Sequence, residues 1–312
     1  MTKIEKVLIG IIALLTIGAF VFWKDIRTMT GTDAVMVKSD GDKKKDKKNK
    51  KDKEENEQTK TIASPGITIS QKWDMPSDLK EISGLAFISE NQFACIQDEL
   101  GKIFIFNTTT EKVEKEIQFA GAGDYEGIAI VNSDAYVARA DGKLFEVRNY
   151  NATPSVVEHS THLTAKQNVE GVSYDKKNNR LLLSIKGKEP NNDNYKGIYA
   201  FDLASKKLAV SPAYKIDLTH NIWAEVKGKN KIQPSGVEVH PINGDIYIID
   251  GPGPSLLVMG ADGAKKKLYQ LNSSEFAQPE GIAFTQTGEL FISNEGRTGV
   301  GNILKVSVDS KL

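Results

Sequence analysis

The chain has 312 residues, and its 41 Lys and Arg balance 41 Asp and Glu, so the formal net charge is zero. The basic residues cluster early in the chain, so we predict no basic face on the folded domain and no nucleic-acid partner. The single cysteine, Cys95, excludes an intrachain disulfide and a metal held by several cysteines. It lies in an apolar run and is expected to be a small core residue.

The first predicted element is a membrane anchor over residues 1–28. Residues 7–23 form an uncharged run at the short end of the length that spans a bilayer. A cleavable signal peptide is the alternative. No small-x-small cleavage site follows the run, which ends in Phe22, Trp23 and Lys24, an aromatic and basic edge typical of a membrane interface. Basic residues flank the run on both sides, so the charges do not decide its orientation.

Residues 29–64 are predicted to be a linker. Its segment 41–60 is rich in lysine and acidic residues and has none that could join a core, which indicates a solvated, disordered tether. Binding of lipid or nucleic acid is an alternative for this segment, but acidic residues interrupt the lysines throughout. We expect the tether to hold the following domain, residues 65–312, away from the bilayer.

A seven-residue motif recurs five times in that domain. Its glycines, at positions 84, 127, 171, 236 and 281, are separated by 43, 44, 65 and 45 residues. Self-similarity at this period indicates a repeat architecture. Further short apolar runs split by turn residues follow each copy, as in propeller blades of about four strands. The sequence therefore predicts an all-β, five-bladed β-propeller.

The two ends of the domain are expected to share a blade. The strand-like segment 67–74 precedes the first motif, whereas the last motif is followed by too few residues for four strands. The early strand would complete the last blade and protect the sheet edges. In the longest interval, segment 217–231 lacks the Gly-x-Ala signature, which predicts a long loop or short helix on one rim rather than a sixth blade.

The motif also predicts a site. Alternate residues of a strand share a face, and glycine fits the crowded face where blades narrow toward the axis. The residue before each glycine would then lie at the mouth of the central channel. These residues are Ser83, Glu126, Glu170, Ser235 and Glu280.

Carboxylate and hydroxyl oxygens suit calcium better than zinc or copper. We therefore predict that Glu126, Glu170 and Glu280 bind calcium, with Ser83 or Ser235 beside them. The alternative is that each glutamate caps strand-end amides of the neighbouring blade.

Further polar residues are candidates for binding. Glu238 stands where other copies have Ala or Ser, so its charge should be paired or ligating, with Lys186 as a candidate partner. The ends of the second strands supply a set of mixed charge that would suit an anionic ligand above the metal. This set is Asp98, Arg139, Lys186, Asp250 and Asn294.

These motifs resemble the SdiA-regulated, YjiK-like family of bacterial proteins, over residues of about 66 to 308 and the N-terminal anchor. The resemblance is carried by Glu126-Gly-Ile-Ala, Glu170-Gly-Val-Ser-Tyr, Lys186-Gly-Lys-Glu-Pro190, Ser235-Gly-Val-Glu238 and Glu280-Gly-Ile-Ala. It implies a five-bladed propeller distantly related to NHL repeats, with a calcium site and a location on the extracytoplasmic side of the cell membrane. It supplies no substrate.

Three functions remain open. We favour a calcium-binding propeller that acts as a binding or scaffold module, with its ligand at the channel mouth or rim. The alternatives are a calcium-dependent lactonase or esterase and an extracytoplasmic module for a protein or glycan. No His-x-x-x-His pair or Gly-x-Ser-x-Gly elbow supports a hydrolase. We expect surface or loop positions for all four histidines, His159, His162, His220 and His240.

Overall fold

The computed structural model describes residues 61–190, 192–225 and 231–309, and their strands form five antiparallel sheets. The first two strands are β1 (Thr61–Ser64) and β2 (Ile67–Asp74). Blade 1 contains β3 (Ile82–Ser89), β4 (Gln92–Gln97), β5 (Lys102–Asn107) and β6 (Lys112–Gln118). Blade 2 contains β7 (Tyr125–Val131), β8 (Asp134–Arg139), β9 (Leu144–Arg148) and β10 (Ser155–His159).

The remaining strands form three more blades. Blade 3 contains β11 (Val169–Asp175), β12 (Arg180–Ile185), β13 (Tyr195–Asp202), β14 (Lys207–Leu208) and β15 (Tyr214–Asp217). Blade 4 contains β16 (Pro234–Val239), β17 (Ile246–Asp250), β18 (Ser255–Met259) and β19 (Lys265–Gln270). Blade 5 contains β20 (Pro279–Phe284), β21 (Leu290–Asn294) and β22 (Asn302–Val308). In the described part of the chain, three short 3-10 helices lie at Ser77–Leu79, Lys176–Asn178 and Asn221–Glu225.

The predicted five-bladed propeller is therefore confirmed, and so is its closure. Strand β2 pairs with β22 in blade 5, with Ile69 opposite Val306 and Trp73 opposite Ile303. Strand β1 pairs with β2 and adds a fifth strand to this blade, although its residues fall in the predicted linker. The chain turns between β1 and β2 at Gly66, whose φ of 80° favours glycine.

Blade 3 accommodates the longest interval between motifs without forming a sixth blade. Strands β14 and β15 both pair with β13, so the outer strand of this blade is split in two. The connection between β12 and β13 spans residues 186–194, whereas blades 1, 2 and 4 have only four residues at this place. The predicted loop or short helix over 217–231 contains the 3-10 helix Asn221–Glu225, and its residues 226–230 lie outside the described part.

The core consists of five apolar clusters, one between each pair of adjacent blades. Ile128 of blade 2, for example, packs with Ile96 and Ile103 of blade 1. Burying one such side chain contributes about 1.5–3 kcal/mol, so the interfaces between blades carry the stability of the ring. Cys95 is fully buried in the cluster between blades 5 and 1, and burial raises the pKa of its thiol.

The predicted anchor, residues 1–28, and most of the predicted linker lie outside the described residues. Within the described ranges, no helix has the length and apolar character needed to span a membrane.

Candidate functional site

The motif glycines form a ring of close contacts around the channel axis, as the sequence predicts. A Cβ added to Gly127 would lie 2.7 Å from the backbone nitrogen of Val172, in the next blade. The equivalent contacts are 2.7 Å from Gly171 to the Val237 nitrogen, 2.7 Å from Gly236 to the Glu280 carbonyl oxygen, 2.8 Å from Gly281 to the Leu85 nitrogen and 3.3 Å from Gly84 to Gly127 Cα. The innermost strands therefore approach each other more closely than an added Cβ allows at Gly127, Gly171, Gly236 and Gly281, and more closely than most Cβ contacts at Gly84.

The residue before each glycine occupies a β-bulge at the start of the innermost strand. In blade 2, Tyr125 lies opposite Arg139 and Gly127 opposite Ala138, so Glu126 has no partner of its own on β8. The same interruption occurs at the other four motif positions, Ser83, Glu170, Ser235 and Glu280. A bulge redirects a side chain away from the regular alternation of the strand and is common beside functional sites. Sequence alternation alone does not reveal this feature.

One cavity on the axis is lined by all five innermost strands. Ser83, Glu126, Glu170 and Glu280 line it, and its empty space is about 190 Å³, including solvent at its opening. Ser235 is buried and does not line it. The structure thus brings three carboxylates and one of the two predicted hydroxyls together.

Both motif serines donate hydrogen bonds between blades. Ser83 Oγ donates to the carbonyl oxygen of Tyr125 at 2.7 Å, and Ser235 Oγ donates to that of Pro279 at 2.6 Å. Each accepting carbonyl belongs to the residue before a motif glutamate of the next blade. The serines therefore hold the strands that carry Glu126 and Glu280.

The three glutamates are electrostatically strained. Burial and the nearby Glu170 raise the pKa of Glu126. Burial also raises the pKa of Glu280 to about 8, although the Lys186 ammonium opposes the rise. Burial raises the pKa of Glu170 too, against the lowering effect of Lys186. One ammonium among three carboxylates leaves two negative charges uncompensated when all four groups are ionised.

Lys186 pairs with Glu170 and not with Glu238, so the suggested Lys186–Glu238 pair is wrong. Lys186 follows β12 at the mouth of the channel, and its Nζ lies 3.2 Å from Glu170. Glu238 lies three residues beyond Ser235 on β16, about 10 Å deeper at the rise of a strand. Burial raises the pKa of Glu238 to about 8, opposed by hydrogen bonds with Ser173 and the Val239 backbone.

The five polar residues predicted at the ends of the second strands do not form one common site. The Arg139 guanidinium forms two hydrogen bonds to Asp141, at 3.0 and 2.8 Å, and lies 5.5 Å from the centre of the Phe145 ring. The Asp250 carboxylate accepts hydrogen bonds from the backbone of Gln233 and Gly253 and so fixes local turns.

The other members of the set have three different surroundings. Asn294 is fully buried, and its Nδ2 donates to Asn302 Oδ1 at 2.9 Å, while its own Oδ1 has no hydrogen-bond partner among the described residues. Burial and the Glu81 carboxylate raise the pKa of Asp98 to about 6. Of the five predicted residues, Lys186 alone forms an ion pair with a mouth glutamate among the described contacts.

Glu146 on β9 is a buried carboxylate away from the channel mouth, and sequence reasoning missed it because a lone glutamate in an apolar strand gives no motif. Its oxygens accept hydrogen bonds from Tyr136, Arg148, Lys206 and His159 at 2.8 to 3.2 Å. Lys206 comes from blade 3, so this cluster joins two blades. The expected surface position of His159 is wrong, because its ring is mostly buried on β10. None of the four histidines is among the residues that line the axial cavity.

The donor atoms at the channel mouth suit a hard divalent cation, because they are carboxylate oxygens, which are the ligands that calcium prefers. As the side chains stand, no group of three or more His, Cys, Asp or Glu within the described ranges is arranged around a metal position. Lys186 occupies the space beside Glu170. Binding of a cation therefore requires the glutamate and lysine side chains to rotate.

Fold and site together define a five-bladed propeller with a carboxylate-lined channel mouth. The chain belongs to the SdiA-regulated family, whose model matches residues 67–297, as the motif resemblance indicates. No curated protein matches the sequence.

Several solved structures match this chain at low sequence identity. The glutaminyl cyclase of Myxococcus xanthus is 14% identical with a TM-score of 0.54, over 78% of this chain and 96% of that one. A streptogramin B lyase is 10% identical, over 79% of this chain and 100% of that one, with a TM-score of 0.47. The aldose sugar dehydrogenase of Streptomyces coelicolor is 13% identical, with the same coverage and TM-score. At 14% identity the likeness to the glutaminyl cyclase shows the fold alone.

Proposed function

We propose that this protein is a calcium-binding module whose metal site is the mouth of the propeller channel. The observation that carries the proposal is the convergence of Glu126, Glu170 and Glu280, from blades 2, 3 and 5, on one axial cavity. These three carboxylates would hold the ion, with Ser83 at the same cavity and water completing six to eight oxygens.

The size of the cavity supports an ion as its occupant. Its empty space of about 190 Å³ is an upper limit on the room for an occupant, because it includes open solvent, and it is already below the roughly 300–1,000 Å³ of pockets for drug-sized molecules. The electrostatics support the same choice, because buried carboxylates without enough positive charge repel one another and are driven toward protonation. A divalent cation removes this repulsion.

Thermal unfolding of the full-length protein tests the proposal. A ligand that binds only the folded state stabilises it by about 2.7 kcal/mol at a hundredfold excess over Kd, which corresponds to a rise in Tm of roughly 5–10 °C for a domain of this size. Calcium should raise the Tm and a chelator should lower it. Magnesium should be a poor substitute because it demands a tighter octahedral shell.

Glutamine variants locate the metal. Glu126→Gln, Glu170→Gln and Glu280→Gln should each reduce the calcium-dependent rise in Tm. Glu238→Gln is the matched control, because Glu238 is a glutamate of the same kind of strand that does not line the cavity. If the triple variant keeps the full calcium response, the metal lies elsewhere and the glutamates are structural caps.

We also propose that the propeller works outside the cytoplasmic membrane, tethered by the N-terminal segment. The apolar run 7–23 and the charged run 41–60 support the tether, and the extracytoplasmic side of the membrane is what the family resemblance implies. Fusion reporters that are active on only one side of the membrane test this location.

A further inference from the structure

We infer that Lys186 is a tethered competitor of the cation, which neutralises the channel mouth when calcium is absent and is displaced from Glu170 when calcium binds. This inference rests on the proposed calcium site and adds a regulatory element to it. Lys186 begins the connection of residues 186–194, which is longer than its counterparts in blades 1, 2 and 4.

The ammonium occupies the position that a metal bound to both oxygens of Glu170 would need. Lys186 Nζ lies 3.2 Å from Glu170 Oε1 and also 3.2 Å from Oε2, so it faces both oxygens of the carboxylate. Asn168 Nδ2 donates a further hydrogen bond to Oε1 at 2.5 Å. Calcium needs carboxylate oxygens at about 2.3–2.6 Å, and a metal at that distance would meet the ammonium. Bidentate binding of calcium by Glu170 therefore requires the ammonium to leave.

The displacement needs only a side-chain rotation. The backbone nitrogen of Lys186 donates to the Asn168 carbonyl oxygen at 2.9 Å. The carbonyl oxygen of Lys186 accepts a hydrogen bond from Lys196 Nζ at 2.5 Å, and Lys196 also donates to the Gly187 carbonyl. The backbone of Lys186 is thus held on both sides. Its flexible four-carbon stem can still carry the ammonium out to water, since the side chain is 24% exposed.

Calcium titration of the full-length protein by calorimetry tests the competition. Lys186→Gln removes the competing charge and should tighten calcium binding about tenfold or more, because every tenfold change needs only ~1.4 kcal/mol of relieved repulsion. The matched control is Lys188→Gln, which makes the same change two residues away at an exposed position of the same loop. This control should leave the affinity unchanged. Lys186→Arg keeps the charge and should gain no affinity.

A second readout follows the lysine itself in the unmodified protein. An ammonium paired with a buried carboxylate reacts slowly with an acetylating reagent, so labelling of Lys186 should be weak in chelator. Calcium should increase this labelling relative to Lys188, as measured by mass spectrometry of peptides. A metal that merely covered Lys186 would decrease it. This measurement tests whether calcium displaces Lys186 even if the Lys186→Gln variant fails to fold.

The outcomes separate the inference from the proposal on which it rests. If the wild-type protein binds calcium but Lys186→Gln binds no more tightly than Lys188→Gln, or if calcium lowers the labelling of Lys186, the competition is refuted and the calcium site stands. If neither the wild-type protein nor Lys186→Gln binds calcium, the proposed function fails as well, and the lysine is a permanent counter-ion of the glutamates.

Discussion

Replacing Gly127 by alanine tests whether the ring of glycine contacts holds the blades together. The new Cβ would lie 2.7 Å from Val172 N, 3.1 Å from the Glu170 carbonyl oxygen and 3.1 Å from the Gly171 carbonyl carbon. All three atoms belong to the backbone of β11, so no side chain can rotate away. Ordinary contacts begin near 3.4 Å, and the strand would have to move by about 0.7 Å in a closely packed ring.

The expected cost follows from two opposing effects. Overpacking of a rigid site costs about 1–3 kcal/mol, and sometimes more. Alanine also reduces the conformational entropy of the unfolded chain, which stabilises the folded state by about 0.4–1 kcal/mol. Because the neighbours are backbone atoms, we expect a net destabilisation of about 2 kcal/mol. The displaced β11 carries Glu170, so the calcium response should weaken too.

Urea unfolding followed by tryptophan fluorescence measures this cost, since Trp223 is buried between blades 3 and 4. Gly121→Ala is the matched control, because no atom lies within 4 Å of its added Cβ. That variant should be as stable as the parent or slightly more stable. Equal urea midpoints for Gly127→Ala and Gly121→Ala would refute the idea that close approach of the inner strands selects glycine.

Two further predictions concern Glu146 and the location of the propeller. Burial raises the pKa of Glu146, but hydrogen bonds led by Arg148 and Lys206 lower it from 4.5 to about 2. Because the folded pKa is depressed, the carboxylate's stabilisation is complete above the ordinary pKa and is lost as the pH falls toward about 2. Glu146→Gln should therefore lower the free energy of unfolding by about 1–2 kcal/mol near neutral pH and by progressively less in acid. Glu158→Gln, at an exposed ion pair, is the control and should have little effect on stability at any pH. If urea unfolding gives the same loss of stability for Glu146→Gln from neutral pH down to strong acid, the prediction is wrong. For the location, alkaline phosphatase fused to the C-terminus should be active and green fluorescent protein exported through the Sec pathway should be dark, and the reverse pattern would place the propeller in the cytoplasm.

The number of blades and the closure of the ring were readable from the sequence. Every blade needs a glycine where its innermost strand approaches the backbone of the next blade, so the same motif recurs in all five blades. These glycines are Gly84, Gly127, Gly171, Gly236 and Gly281. Closure followed from the strand-like segment 67–74, which had no other blade to join. Convergence of the motif glutamates was also predictable, because equivalent positions of a ring point at one axis.

The partners of individual side chains were decided only by the tertiary structure. The sequence does not show whether Lys186 pairs with Glu238 or with Glu170. The structure decides this, because Lys186 and Glu170 lie at the channel mouth and Glu238 lies further along β16. The β-bulges, the serine bonds between blades and the contact of Lys206 with Glu146 likewise depend on how adjacent blades are spaced. A repeat specifies what each blade has in common, whereas these contacts join residues that differ from blade to blade. Periodicity determined the ring and the convergence of the motif glutamates on its axis, and packing between unlike blades determined which side chains pair with them.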